Sequence, residues 1–197
     1  ILVQEAVSSL PNIPTSLVRA IEGVRLYSPA LRSFDLHSKG YAFLAADTTG
    51  LLQWMGQNAL QTSDSVKLLL GSRIKKIEQA AQAITLPEYG VASQYLVGAD
   101  GARSTVARQL GFSQNTEFLI GMELEFEGSA HLDERFLHVF VDTDLAKGYI
   151  AWVVPGVGIT QVGLACQYPS NLAIEAFIEK IKPVFDFSAL KPIGRRG

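Results

Sequence analysis

The run Tyr95-Leu96-Val97-Gly98-Ala99-Asp100-Gly101-Ala102-Arg103-Ser104-Thr105-Val106-Ala107-Arg108 holds the residue types best suited to grip a polar ligand. It reads as an apolar strand, a tight acidic turn and the start of a helix. An aspartate at the end of a strand, followed by a glycine free to adopt positive φ, lets the chain reverse sharply around a bulky polar group. The helix that follows offers free N–H groups and the positive end of its dipole, which suits a phosphate or a developing anion. Arg103 and Arg108 add charged donors for the same kind of partner. Asp-Gly alone is a common hairpin turn. Here it leads instead into a helix over Ser104 to Leu110, with Val106 and Leu110 on one face and Gly111 as its stop. Gly98, Asp100, Gly101, Arg103, Ser104 and Arg108 are the candidate ligand-binding residues.

Other chemistries find less support. Glu123, Glu125 and Glu127 alternate with apolar residues over Gly121 to Gly128, so the three carboxylates share one face of a strand. Alternation of this kind reads as the solvent side of an antiparallel sheet rather than a catalytic acid pair. Asp142-Thr143-Asp144 starts like a calcium loop but lacks the glycine and distal glutamate in register. His37, His131 and His138 have no metal-pair spacing, so no metal site is expected. Ser104 lacks the G-x-S-x-G elbow of a hydrolase. No residue declares itself catalytic. The single cysteine, Cys166, sits in a run of strand residues and reads as a small core side chain, which fits a reducing, cytoplasmic setting.

The elements that must position these residues are short. Val3 to Leu10 and Leu51 to Leu60 look helical, and Gly23 to Tyr27 and Ser33 to His37 look like strands. Val66 to Leu70, Ile74 to Glu78, Gln82 to Leu86 and Val91 to Gly98 are β-rich runs at regular spacing, a meander that ends on the Asp-Gly turn. A larger sheet follows, from Gly121 to Gly128, Arg135 to Asp142, Tyr149 to Val154 and Ile159 to Gln167. An amphipathic helix over Asn171 to Val184 closes it, with Leu172, Ile174, Phe177, Ile178 and Ile181 as apolar positions. Gly148 to Ile174 carries no charge, but its prolines and glycines make it buried strands and turns rather than a membrane span. A net charge of −2 gives no nucleic-acid footprint. The fold class expected is α+β: a mainly antiparallel, mixed sheet with helices, plus a partial nucleotide-binding layer carrying the Asp-Gly turn. The domain division expected is 1–111 and 112–197.

The Gly-Ala-Asp-Gly-Ala-Arg-Ser run, between its strand and its helix, resembles the Asp-Gly motif of FAD-dependent oxidoreductases built on the p-hydroxybenzoate hydroxylase fold. That group includes aromatic monooxygenases and geranylgeranyl reductases. A second run, Gly148-Tyr149-Ile150-Ala151-Trp152-Val153-Val154-Pro155-Gly156 followed by Gln161-Val162-Gly163-Leu164, resembles the strand pair of the geranylgeranyl reductase branch, where a Gly-Tyr-x-Trp-x-Phe-Pro pattern borders the substrate cavity. The resemblance runs from about Pro11 to the C-terminus and implies FAD as cofactor, with the six residues of the turn and helix on the flavin. It implies NAD(P)H as electron donor, and Tyr149, Trp152 and Pro155 on an apolar substrate.

Departures from the pattern are specific. One extra residue separates Tyr149 from Trp152, which on a regular strand sends the two rings to opposite faces unless a bulge intervenes. Val154 replaces the phenylalanine, and in Tyr41 to Leu52 Ala45 stands where the family carries an arginine. No G-x-G-x-x-G is present, so the chain reads as the middle piece of a longer flavoenzyme, one that would hold FAD poorly by itself. The activity implied is reduction of isoprenoid double bonds. An aromatic monooxygenase or halogenase of the same fold, and a non-catalytic module for an apolar ligand, are the alternatives. The expected partners are a small apolar isoprenoid or aromatic molecule and, through a lipid substrate, peripheral contact with a membrane.

Overall fold

The alternating run at 121–128 falls within a nine-residue strand, Leu119–Glu127, one place in from the edge of the large sheet. A computed structural model describes residues 1–41 and 43–197; Ala42, within the Tyr41 to Leu52 run, lies outside the described residues. In chain order the elements are α1 (Gln4–Ser8), β1 (Val18–Ile21), β2 (Gly23–Tyr27), β3 (Ser33–Leu36), β4 (Phe43–Ala46), α2 (Thr48–Thr62), β5 (Glu78–Gln79), β6 (Ile84–Leu86), β7 (Val91–Ser93), α3 (Thr105–Leu110), β8 (Leu119–Glu127), β9 (Phe136–Phe140), β10 (Ala151–Pro155), β11 (Ile159–Gln167), α4 (Ile174–Ile181) and β12 (Pro192–Arg196). The class is mixed α+β, as the patterning implies.

The chain forms two compact units, one of residues 1–62 with 119–197 and one of residues 63–118. The division expected at residue 111 therefore differs from the one observed. The physical reason is a ladder that the local sequence does not announce: β2 pairs in parallel with β9, which draws the first sixty residues into the later sheet. That seven-stranded sheet runs β12-β8-β11-β10-β9-β2-β3 and is antiparallel at every other junction.

The sheet buries both faces. On one, Ile174, Phe177 and Ile181 of α4 meet Ala151, Val153, Val162 and Leu164 in the main core. Their i, i+3, i+7 spacing puts all three on one stripe, and each is essentially inaccessible. On the other face the two-stranded ribbon β1/β4 lays Ile21 and Ala45 against Val154, with Leu137 and Trp152 alongside. Ala45, at the position where the family carries an arginine, is buried in this second cluster. Cys166 is buried, as a core residue should be. His138 is also buried, its ring nitrogens 3.2 Å from the Tyr27 hydroxyl and 3.0 Å from the Asp133 carbonyl oxygen, and burial lowers its pKa. Asp142 accepts from the Asp144 and Leu145 amides and pairs with Lys180, so it closes a turn.

In the 63–118 unit, β5, β6 and β7 form a small antiparallel meander. The expected strands depart from the pattern here. Val66 to Leu70 pairs with nothing among the described residues, and the Val91 to Gly98 strand ends at Ser93. Leu70, Tyr95 and Val97 stand 80%, 83% and 86% exposed. An apolar run becomes a strand only where another edge accepts its hydrogen bonds, and none of the described strands does. The expected strand at 74–78 is likewise replaced by side-chain contacts. Glu88 accepts from the Lys75 amide, while Gln109 accepts from the Ile77 amide and donates to the Lys75 carbonyl.

Because α4 closes the main core through so few side chains, Phe177→Ala should cost about 3–5 kcal/mol, the usual loss for truncating a buried aromatic residue. Chemical denaturation of the variant against the parent chain measures it. A loss below 1 kcal/mol would mean that α4 is not integral to the sheet.

Candidate functional site

Two surfaces carry the candidate residues, one in each unit. The first is the Asp-Gly turn. The carboxylate of Asp100 points into the start of α3: one oxygen accepts from the Ser104 hydroxyl, the other from the amides of Thr105 (2.6 Å) and Val106 (3.2 Å). Ser104 is the N-cap residue, and its hydroxyl accepts from the Ala107 amide at 2.9 Å. Gly111, at φ +71°, ends the helix in the left-handed conformation that glycine favours. These bonds, the Ser104 hydroxyl first among them, hold the Asp100 pKa below its ordinary value.

This changes the reading of the helix. Its N-terminal amides, expected to face a ligand anion, are taken by the chain's own Asp100 and Ser104. Gly98 is a packing residue as well, since a Cβ there would come within 2.9 Å of Val106. Neither Gly98 nor Asp100 lines the adjoining concavity of about 270 Å³. Gly101, Arg103, Ser104 and Arg108 do, with Asn115 and Phe118. The Arg103 guanidinium lies 5.2 Å above the Phe118 ring, and Arg108 donates to the Thr105 hydroxyl at 3.3 Å. Asn115 donates to the Ala102 carbonyl at 3.0 Å. Phe118 and Asn115 have no motif around them that marks them from sequence. Among the described residues neither arginine has an acidic partner within ion-pair distance, so the concavity presents two guanidiniums to an anionic ligand.

The second surface is the face of the large sheet beside the β1/β4 ribbon. Trp152 of β10, Gly163 of β11 and Glu123 of β8 are direct cross-strand neighbours. A Cβ on Gly163 would sit 2.5 Å from the indole ring. Glycine alone leaves the indole room to lie flat across the middle strand, where its Nε1 donates to Glu123 Oε2 at 2.9 Å. Gln161 Nε2 donates to the other oxygen, also at 2.9 Å. These three side chains border a cavity of about 380 Å³ whose apolar wall is Leu137, Val139, Val154 and Tyr149.

Tyr149 and Trp152 thus line the same cavity, and no bulge is needed. β10 begins only at Ala151, while Tyr149 sits in the preceding turn, its amide donating to the Ala146 carbonyl. Pro155 does not join them. It lies on the face of β10 shared with Ala151 and Val153, and borders a separate hollow with Arg19 and Glu134. The acidic face is not a solvent face either. Glu125 is 7% exposed: β12 pairs alongside β8, sets Gly194 opposite it and brings Arg196 Nε to 3.0 Å, whereas Glu127 remains exposed beside Lys191. Glu123 and Gln161 are the cavity residues that alternation alone leaves among the surface positions.

With this geometry in view, the likenesses to known proteins can be stated. A family model described as an FAD binding domain matches residues 76–174. A geranylgeranyl bacteriochlorophyll reductase-like protein of Thermoplasma acidophilum superposes with a TM-score of 0.70 at 15% identity, over 93% of this chain and 51% of that one. The p-nitrophenol 4-monooxygenase of Pseudomonas putida superposes with a TM-score of 0.64 at 14% identity, over 91% and 51%. An uncharacterised protein of Methanocaldococcus jannaschii is 32% identical over 72 residues, which is 35% of this chain and 18% of that protein. The chain spans about half the length of these structures and a smaller share of the curated relative. At such identities the superpositions establish a shared fold.

Asp100 as a helix cap has a consequence in pH. Its folded-state pKa is depressed, so its contribution is present above the ordinary carboxylate pKa of about 3.9 and is lost as pH falls below it. Amide exchange at Thr105 and Val106 should be slow and steady at neutral pH and become less protected in acid. Asp100→Ala, which removes the acceptor, should expose both amides at every pH. Unchanged exchange in that variant would remove Asp100 from the cap.

Proposed function

Because this chain belongs to the FAD binding domain family, we propose that it forms the substrate-side portion of an FAD-dependent oxidoreductase that reduces double bonds of an isoprenoid. The observation that carries the substrate side is the cavity on the sheet face, with Trp152 and Tyr149 beside Leu137, Val139 and Val154. Its volume, about 380 Å³, falls within the range of about 300–1,000 Å³ usual for small-molecule sites. Apolar burial against such a wall contributes roughly 25 cal/mol per Å² removed from water.

The Asp-Gly turn fits an anionic segment of the cofactor. Arg103 and Arg108 supply charged donors, Gly101 at φ +83° keeps the turn open, and Asp100 and Ser104 hold α3 so that both arginines face the concavity. When bound, FAD supplies the two-electron redox chemistry, with NAD(P)H as the proposed donor. The chain's own residues bind and orient. The arginines neutralise the cofactor's anionic group, and the aromatic wall excludes water from the apolar end of the substrate. A hollow of about 270 Å³ contacts only a part of so large a cofactor, so the 197-residue chain alone holds FAD weakly.

Hydroxylation or halogenation of an aromatic ring is the second reading. Glu123 and Gln161 favour it, because they give the cavity a polar end suited to a ring substituent.

Two measurements on the full-length protein separate these roles. Arg103→Ala should lower bound flavin, at about 1.5–3 kcal/mol for a lost charge-assisted hydrogen bond. Flavin content equal to the parent's would clear Arg103 of the cofactor site. Trp152→Ala should weaken a prenyl ligand far more than a small phenol and leave the flavin spectrum unchanged. Equal losses for both ligands, together with a large drop in melting temperature, would make Trp152 an ordinary core residue.

A further inference from the structure

The cavity beside Trp152 combines an apolar wall with the neutral polar side chains of Thr48 and Gln161 and a single carboxylate, Glu123. Glu123 is held there by two neutral donors, the indole Nε1 and the Gln161 amide, one on each oxygen. Its two neighbours along β8 are charge-compensated, Glu125 by Arg196 and Glu127 by Lys191. Glu123 has no cation within ion-pair distance among the described residues. A carboxylate has about four lone-pair sites, so two bound donors leave acceptor capacity directed at whatever enters. The indole above Gly163 cannot settle closer to the strand, and the carboxylate it grips is fixed in position before a ligand arrives.

We propose that Glu123 is a specificity-determining residue: it accepts a hydrogen bond from a hydroxyl or protonated amine at one end of an apolar substrate, and it repels substrates that end in a carboxylate or phosphate. The proposal rests on the cavity being the substrate site and adds the chemistry of the substrate's polar end. It follows from what each wall offers. Leu137, Val139 and Val154 accept only hydrocarbon, and the fixed acceptor rewards a donor placed against it. An anionic group in the same position would face the Glu123 carboxylate, and the arginine opposite it on β12, Arg196, is already engaged by Glu125. A cavity meant for an anionic end would need a basic residue on its wall, and Leu137, Val139, Tyr149, Ile150, Val154 and Gln161 supply none.

The test uses the full-length protein and three probes that share one hydrocarbon chain: farnesol, farnesylamine and farnesoic acid, titrated by calorimetry. The unmodified protein should bind the alcohol and the amine at least tenfold more tightly than the acid, a comparison that requires no variant. Glu123→Gln keeps the volume and one acceptor while removing the charge. It should weaken the amine tenfold or more, strengthen the acid, and so close the gap. Trp152→Ala should weaken all three and, by freeing the Glu123 carboxylate from the indole, narrow the gap between amine and acid as well. If the three probes bind equally well, lose affinity together in Trp152→Ala and ignore Glu123→Gln, the cavity is the substrate site and Glu123 is not its selector. Tightest binding of the acid overturns the proposal in the same way. If no probe responds to Trp152→Ala, the cavity is not the site, and both readings fall.

Discussion

A missing side chain governs the functional face of the large sheet. With hydrogen at Gly163, the Trp152 indole spans from β10 over β11 to the carboxylate on β8. A methyl group there would occupy the same space as the ring. Three consequences share this origin: the indole shapes one wall of the cavity, Glu123 is oriented by a donor two strands away, and Gln161 completes the arrangement from the next same-face position on β11. The opposite face needs none of this. It is closed by α4 through ordinary apolar burial, so one side of the sheet is sealed by a helix and the other carries a cavity.

The Asp-Gly turn follows another logic. Its acidic residue is spent on its own backbone, and the donors left for a ligand are the arginine side chains. The local order is produced by short-range chemistry, Asp100 on the amides of Thr105 and Val106 and Ser104 on that of Ala107. Charge separation follows: the carboxylate points back into the turn and the guanidiniums border the concavity.

That contrast explains what could be read in advance. The helix over Ser104 to Leu110 with Gly111 as its stop is legible because caps act over four residues. The β8, β10 and β11 strands are legible from alternation and β-rich composition. Alternation says that β8 has two faces but not which strand will pair along its edge, so the partner that Arg196 of β12 gives Glu125 could not be read from it. The parallel pairing of β2 with β9 joins residues more than a hundred positions apart and leaves no local mark. Tyr149 reached the cavity because β10 starts two residues later than its apolar run implies, and Pro155 missed it because the two faces of β10 diverge. The strand read at 66–70, and the far end of the strand read at 91–98, have the right composition for a ladder that none of the described strands completes.

Those two runs leave large apolar side chains on the surface of the 63–118 unit. Leu70, Tyr95 and Val97 are held outward on backbone whose hydrogen-bonding groups have no strand beside them. Short apolar β-prone segments in that state are templates for one another. Charged substitutions at Leu70 and Val97 are the natural remedy, since neither side chain contributes to a core.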